Sequence, residues 1–419
     1  MKNGRRAYIN IYGYSIHSRY GQNDLTLSWC FFVQEMKFLY FGAMIYPRKI
    51  TGFRKAVLIF SFYSLIVFPL SAQKKAFEQD AKSTIETLQK WYDPETGLYK
   101  TTGWWNTANA ITALIDYTRL TGDSSYLHLI KNTFKKCESF SVHDQQNGQV
   151  HIVQNFINDY YDDEGWWALA WIDFYDLTHE KKYLHTAQII FSDMVKGWSD
   201  ECGGGLYWEK PDHGKNSIEN ELFILTAVRL HDRIKDTAFI SGKTCLQWAV
   251  ADWNWFNQMH LINHQFLVED GLDKNCMAKH GYHFTYNQGV LLSGLIELGE
   301  AIKDDSLSQI ALKIAHSAMQ YLVYPDGILR EPTEPHCNAD AVQFKGIFMR
   351  HLANLYSKTH DVSIQKFIQR NATHLWSHAR DKKTNETGCI WNGPFDKGDA
   401  GRQSAALDAL NAAMSVTSD

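Results

Sequence analysis

The feature that most constrains this chain is a double repeat in its connections. Short polar turns stand at Thr121-Gly122-Asp123, Thr178-His179-Glu180, Ile234-Lys235-Asp236, Lys303-Asp304-Asp305 and Thr359-His360-Asp361, roughly every 56 to 70 residues. Each follows a stretch of apolar periodicity near 3.6 and leads into another, which is the pattern of repeated helical hairpins. Between them lie longer connections in which a turn is followed by Gly and an apolar residue: Gly97-Leu98-Tyr99, Gly148-Gln149-Val150, Gly205-Leu206-Tyr207, Gly271-Leu272, Gly327-Ile328-Leu329 and Gly388-Cys389-Ile390. These read as six long loops carrying short strands. The periodicity places helices over 76–92, 105–121, 124–140, 164–178, 181–197, 217–233, 237–257, 284–303, 306–322, 339–358, 361–380 and 401–415. Twelve helices in six hairpins predict an all-α (α/α)6 barrel over residues 73–419, with a solenoid of stacked pairs as the alternative. Closure into a ring would gather the short turns on one face and the long loops on the other, where function collects.

The chain ahead of that domain has a different character. Residues 1–72 hold nine Lys/Arg and two Asp/Glu, although the whole chain is at −4. Arg54 and Lys55 precede an apolar run from Ala56 to Leu70, and Ser71-Ala72-Gln73 follows with small residues. That is the order of a secretory signal, and the run is short of the roughly twenty residues that span a bilayer. Residues 44–72 are therefore read as a signal peptide starting at Met44, and 1–43 as a misassigned extension. A secreted or periplasmic location follows, with no stable membrane insertion after the signal is removed. Six cysteines remain beyond it, at 137, 202, 245, 276, 337 and 389, an even number that an oxidising compartment could pair. The mixed charge gives no electrostatic reason to expect nucleic acid.

The densest candidate site is Asn158-Asp159-Tyr160-Tyr161-Asp162-Asp163-Glu164-Gly165-Trp166-Trp167, at the start of the fourth helix. Acidic residues there can simply cap free amides and favour the helix dipole. Four carboxylates within six residues, framed by four aromatics, can do more. Like charges in an apolar rim drive pKa values apart, so that one carboxyl stays protonated while its neighbour ionises. Glycoside cleavage needs that division, with the two carboxyls about 5 Å apart for retention and about 6.5–9.5 Å apart for inversion. Trp104-Trp105-Asn106, Trp166-Trp167, Tyr207-Trp208 and Trp391-Asn392 offer aromatic faces and polar groups suited to sugar rings, though Trp is also a common packing residue. Cys276, His280 and His283 match no zinc template, Gly203-Gly204-Gly205 lacks the Lys-Ser/Thr of a phosphate loop, and no metal or cofactor is expected.

YYDDEGWWALAWI (160–172) resembles the signature of glycoside hydrolase family 76, the α-1,6-mannanases. WWNTANAITAL (104–114), GGGLYWEK (203–210), SIENELFILTAVRL (217–230), TYNQGVLLSGL (285–295) and QFKGIFMRHLANL (343–355) agree in order. The resemblance implies an (α/α)6 fold and retaining hydrolysis of α-1,6-mannan, endo-acting, with Asp162 as nucleophile and Asp163 as general acid/base. It also implies Asp270 as a sugar-binding position, and with Trp208, Asn287 and Lys345 it completes an expected substrate-binding set. A monomer acting on α-mannan or manno-oligosaccharides is expected. Competing readings are another (α/α)6 enzyme, an unsaturated-uronide hydrolase or sugar epimerase, and a non-catalytic glycan-binding protein. The long loops show no Arg cluster for an acidic sugar, and both Asp residues that a binder could lose are present.

Overall fold

The computed structural model describes residues 72–143, 150–211, 213–234 and 239–417, with backbone only over 140–143 and 150–152. These fall within the second of the chain's two units, residues 65–419. The extension, and the signal peptide up to residue 71, lie outside the described residues. Among the described residues no helix is long and apolar enough to cross a membrane.

Twelve α-helices form among the described residues: α1 (72–88), α2 (Trp104–Thr121), α3 (Leu127–Cys137), α4 (Tyr161–Thr178), α5 (Lys181–Met194), α6 (Ser217–Ile234), α7 (Cys245–Gln258), α8 (Thr285–Ile302), α9 (Asp305–Tyr321), α10 (Ala341–Thr359), α11 (Val362–His378) and α12 (Ala400–Ser415). The even-numbered helices are buried almost all round; every residue of α12 from Ala400 to Met414 is buried, Arg402 and Asp408 included. The odd-numbered ones are amphipathic. In α9 only Leu307, Ala311, Ile314, Ala315 and Ala318 are buried, one stripe at helical spacing. Helices buried on every side are enclosed by their neighbours, so the even set forms an inner ring and the odd set an outer one. Within the inner ring α2 packs on α4, α4 on α6, α6 on α8, α8 on α10, α10 on α12, and α12 back on α2. That last contact decides for the barrel over the solenoid. Asn411 of α12 seals the seam by donating to the Ala113 carbonyl of α2 at 2.8 Å.

Small residues set the spacing of the inner ring. A Cβ on Gly346 would stand 2.5 Å from Ala405 Cα, and one on Gly289 2.7 Å from Phe348 Cα. The short turns share a device as well: α2, α4, α8 and α10 each end on a residue in the left-handed region, Gly122, His179, Lys303 and His360. Most of the Ile234–Asp236 turn lies outside the described residues.

Each long loop is a small antiparallel hairpin, as the pairings Asp93↔Leu98, Val142↔His151, Trp198↔Leu206, Ile262↔Val268, Val323↔Leu329 and Arg380↔Thr387 show. Gly97 and Gly327 hold left-handed turn positions as the sequence suggests, but the fourth and sixth loops use Phe266 and Asn385 instead of Gly271 and Gly388. Two helices are shorter than their periodicity indicates. α3 stops at Cys137 and gives way to strand, and α7 begins at Cys245, where Thr244 and Gln247 form a capping box.

A side chain on the fourth residue of an inner helix docks the preceding loop in four of the six repeats. Thr107 Oγ1 accepts from Tyr99 N (3.2 Å), Asn220 Oδ1 from Leu206 N (2.7 Å), Gln288 Oε1 from Val268 N (2.8 Å) and Gln403 Oε1 from Thr387 N (3.0 Å). Each satisfies a buried loop N–H that no strand or helix ladder could reach. At the opposite, short-turn end the ring is filled by ion pairs. Arg229 bridges Glu297 (2.9 Å) and Asp173 (3.3 Å), and Arg350 pairs with Asp408 (2.8 Å) beside a cavity of about 430 Å³.

Candidate active site

The N-terminus of α4 opens on the long-loop face, and two loops fix its first turn. Tyr161 N donates to the Trp208 carbonyl (3.0 Å), Lys210 N donates to the Asp159 carbonyl (2.8 Å), and Tyr160 pairs with Glu209 between them. The second and third loops are thus zipped together just above Asp162. This places the Trp208 side chain within hydrogen-bonding reach of the Asp162 carboxyl and against the Tyr160 ring, 5.1 Å between centroids.

The two adjacent carboxyls sit in different surroundings. Burial pushes Asp162 up to about 6, opposed by hydrogen bonds from Trp208 and from backbone N–H groups at the helix start. Its Oδ1 meets no donor among the described residues. Asp163 is held well above the ordinary carboxylate range, first by burial and then by the negative charge of Asp162; Asn158 Nδ2, donating to its Oδ2 at 2.6 Å, works against this. Of the two, Asp162 is the more readily ionised and Asp163 the more firmly protonated, the division that a nucleophile and an acid require. Glu164, the third carboxylate of the run, points inward. It is fully buried and bonded to Lys210 (2.8 Å), which also binds Asp193 (2.7 Å) and the Asn158 carbonyl (2.5 Å). That buried pair anchors the zipped loops from below.

Of the expected binding residues, Trp208 and Asp270 reach this mouth. Asp270 lies in the fourth loop, which pairs with the start of α6 through Ser217 N donating to the Asp270 carbonyl (3.0 Å) and the Asn216–Gly271 bridge. Burial raises its carboxyl above the usual range. The phenol of Tyr286 lies within electrostatic reach of both Asp162 and Asp270, which places the two carboxyls around one centre. Asn287 is wholly buried and acts through Asp270, donating Nδ2 to its Oδ1 at 3.2 Å. Lys345 requires a correction. Its side chain is completely buried, ion-paired with Glu334 and donating to the Cys389 carbonyl at 2.6 Å, so its ammonium is turned from the groove into the wall.

Several site residues were not singled out by the sequence. Asp340, at the start of α10, raises both Asp162 and Asp163 by its charge and accepts from Trp105 Nε1 at 3.1 Å. Trp105 stacks on Trp166 (5.7 Å), and Phe344 stacks on Tyr286 (3.8 Å, 4°), so aromatic rings line the wall on that side. Glu219 and Glu221 lie beneath, fully buried and held well above the carboxylate range by desolvation. Trp167, Trp171 and Trp391 are core residues. Cys276 is disulfide-bonded to Cys202, while His280 and His283 both pair with Glu269 at 3.2 Å, so that segment serves the loop's own structure.

Residues 76–419 match the sequence profile of glycosyl hydrolase family 76. The chain belongs to this family. Family 76 relatives include a mannan endo-1,6-alpha-mannosidase of Eremothecium gossypii, 25% identical over 78% of this chain and 73% of that protein. Another, from Saccharomyces cerevisiae, is 25% identical over 73% of this chain and 71% of its own length. A solved α-1,6-mannanase from Salegentibacter sp. HEL1_6 superposes with a TM-score of 0.70 at 22% identity, covering 81% of this chain and 99% of that one. The helical ring is thus a family 76 (α/α)6 barrel, and the protein is a glycoside hydrolase.

Proposed function

We propose that this family 76 protein cleaves α-1,6-mannosidic bonds within mannan backbones with retention of configuration. The observation that carries the reading is the divided carboxyl pair: Asp162 is poised to ionise under Trp208, and Asp163 is kept protonated beside it. Attack by Asp162 on the anomeric carbon forms a glycosyl ester while Asp163 protonates the departing oxygen; Asp163 then takes a proton from water as it hydrolyses the ester. The Salegentibacter mannanase is rendered inactive by replacing two consecutive aspartates and binds alpha-1,6-mannotetrose in that form, which supports assigning the Asp pair here. The chemistry also agrees with the printed activity of the fungal relatives. The apolar run ahead of the domain supports export, so the protein is read as a secreted or periplasmic monomer.

Product analysis on linear α-1,6-mannan tests the substrate, with short oligosaccharides appearing early for endo action. Activated aryl mannosides with added azide test the roles. Asp163→Ala should yield a mannosyl azide of retained configuration, and Asp162→Ala one of inverted configuration. The opposite pairing would reverse the assignment, and wild-type rates in both variants would end it.

A further inference from the structure

The fifth long loop (322–340) and the sixth (379–399) each bring one cysteine to the wall that contains Lys345. Cys337 and Cys389 are 52 residues apart in sequence, and their Sγ atoms lie 2.8 Å from each other. That is closer than two non-bonded sulfur atoms pack, and a small movement separates it from the roughly 2.05 Å of a covalent bond. Glu334 lies near enough to complete a three-ligand metal cluster with them. Its carboxylate is already occupied, however. Lys345 and Glu331 N donate to Oε1, and the Tyr324 hydroxyl donates to Oε2 at 2.7 Å. A cation would have to displace a fully buried ammonium, whereas joining the two sulfurs leaves every partner of Glu334 in place.

We infer that Cys337 and Cys389 form a disulfide, a second covalent tie across the rim of the groove beside Cys202–Cys276. The first tie joins the third and fourth long loops, and this one joins the fifth and sixth. It also secures the segment leading to Asp340, three residues beyond Cys337, whose charge acts on both members of the Asp pair. The two thiols differ in a way that sets the order of the reaction. Cys337 is partly exposed and is held below the ordinary thiol range by the hydrogen bond from Cys389, while Cys389 is buried and pushed up. The Cys337 thiolate attacks the disulfide of an oxidant such as oxidised glutathione and releases one thiol. Cys389 then loses its proton and displaces the second thiol from the mixed disulfide. Two electrons and two protons pass from the pair to the oxidant, whose disulfide becomes two thiols.

The full-length protein, purified under reducing conditions and then equilibrated with oxidised glutathione, is denatured in an alkylating agent without reductant, digested and mapped by mass spectrometry. A peptide joining Cys337 to Cys389 is expected, lighter by two hydrogens than its separated halves, with the Cys202–Cys276 peptide as internal control. Alkylation of both Cys337 and Cys389 while the control is linked would overturn the inference, as would a link from either to another cysteine. Zinc bound one-to-one and released together with two free thiols would overturn it in favour of a metal site. The readout is covalent mass in the wild-type protein, so it is independent of mannanase activity and of whether cysteine variants fold.

Discussion

Replacing Trp208 by Phe isolates one hydrogen bond in the site. The indole and the phenyl ring both cover the Asp162 carboxyl, but only the indole donates to it. A hydrogen bond to an ionised group contributes about 1.5–3 kcal/mol, and the lower end applies in a groove open to water. At about 1.4 kcal/mol per pKa unit, losing it raises Asp162 by about one unit. The starting value is about 6, so the acid limb of the kcat/KM profile should move to about 7. The sign follows from the proposed role: a nucleophilic Asp162 attacks only when ionised, so removing a donor to its charged form demands higher pH. At pH 6 the ionised fraction falls from about a half to about a tenth, a roughly fivefold loss of kcat/KM that largely disappears by pH 8. The assay is a pH series of initial rates on an aryl mannoside with Trp208→Phe and wild type. A uniform loss at every pH, with the limb in place, would show that Trp208 acts only as a sugar platform and that the hydrogen bond does not set the ionisation.

Three other outcomes are expected. Asn158→Ala removes the donor that favours ionised Asp163, so the alkaline limb of the same profile should move up, and a downward move would contradict the geometry. Asp162→Asn should be inactive yet more stable at pH 7. A carboxyl raised from 3.8 to about 6 destabilises the fold as pH rises through that window, by about 3 kcal/mol if fully buried and about 1–2 after allowing for its partial exposure. The gain, read by thermal denaturation, should vanish below pH 3.8, where Asp162 is protonated folded or unfolded. Lys345→Met strands the buried Glu334 carboxylate and should cost about 3–5 kcal/mol of stability, with recovery on adding Glu334→Gln and little change in mannan KM below the transition. A raised KM with an unchanged Tm would return Lys345 to the groove.

The ring was legible because its repeat is written in local chemistry: short polar turns alternate with longer connections that carry a Gly followed by an apolar residue. The Asp pair was legible because four carboxylates crowded among aromatics have few innocent explanations. Asp340 escaped notice because one acidic residue before a helix looks like a cap, and its nearness to Asp162 is created by the barrel. Lys345 was misplaced for the converse reason. The QFKGIF run marks an inner helix but cannot say which way its amine turns, and the partner that decides this, Glu334, belongs to the preceding loop. Phe266 and Asn385 hold the left-handed turn positions of the fourth and sixth hairpins, where the sequence points instead to Gly271 and Gly388. The late start of α7 could have been read from Thr244 and Gln247, whose spacing is that of a capping box.

The docking residue on the fourth position of the inner helices gives the groove a modular wall. Thr107, Asn220, Gln288 and Gln403 each hold one backbone N–H on the second strand of the hairpin in the loop before their helix. Each of these hairpins is thereby tied to the inner ring at a fixed point. The Asp pair proposed as catalytic sits on a helix and not on a loop, so changes at the hairpin tips can recut the groove for branched, shorter or differently decorated glycans while the pair stays where it is.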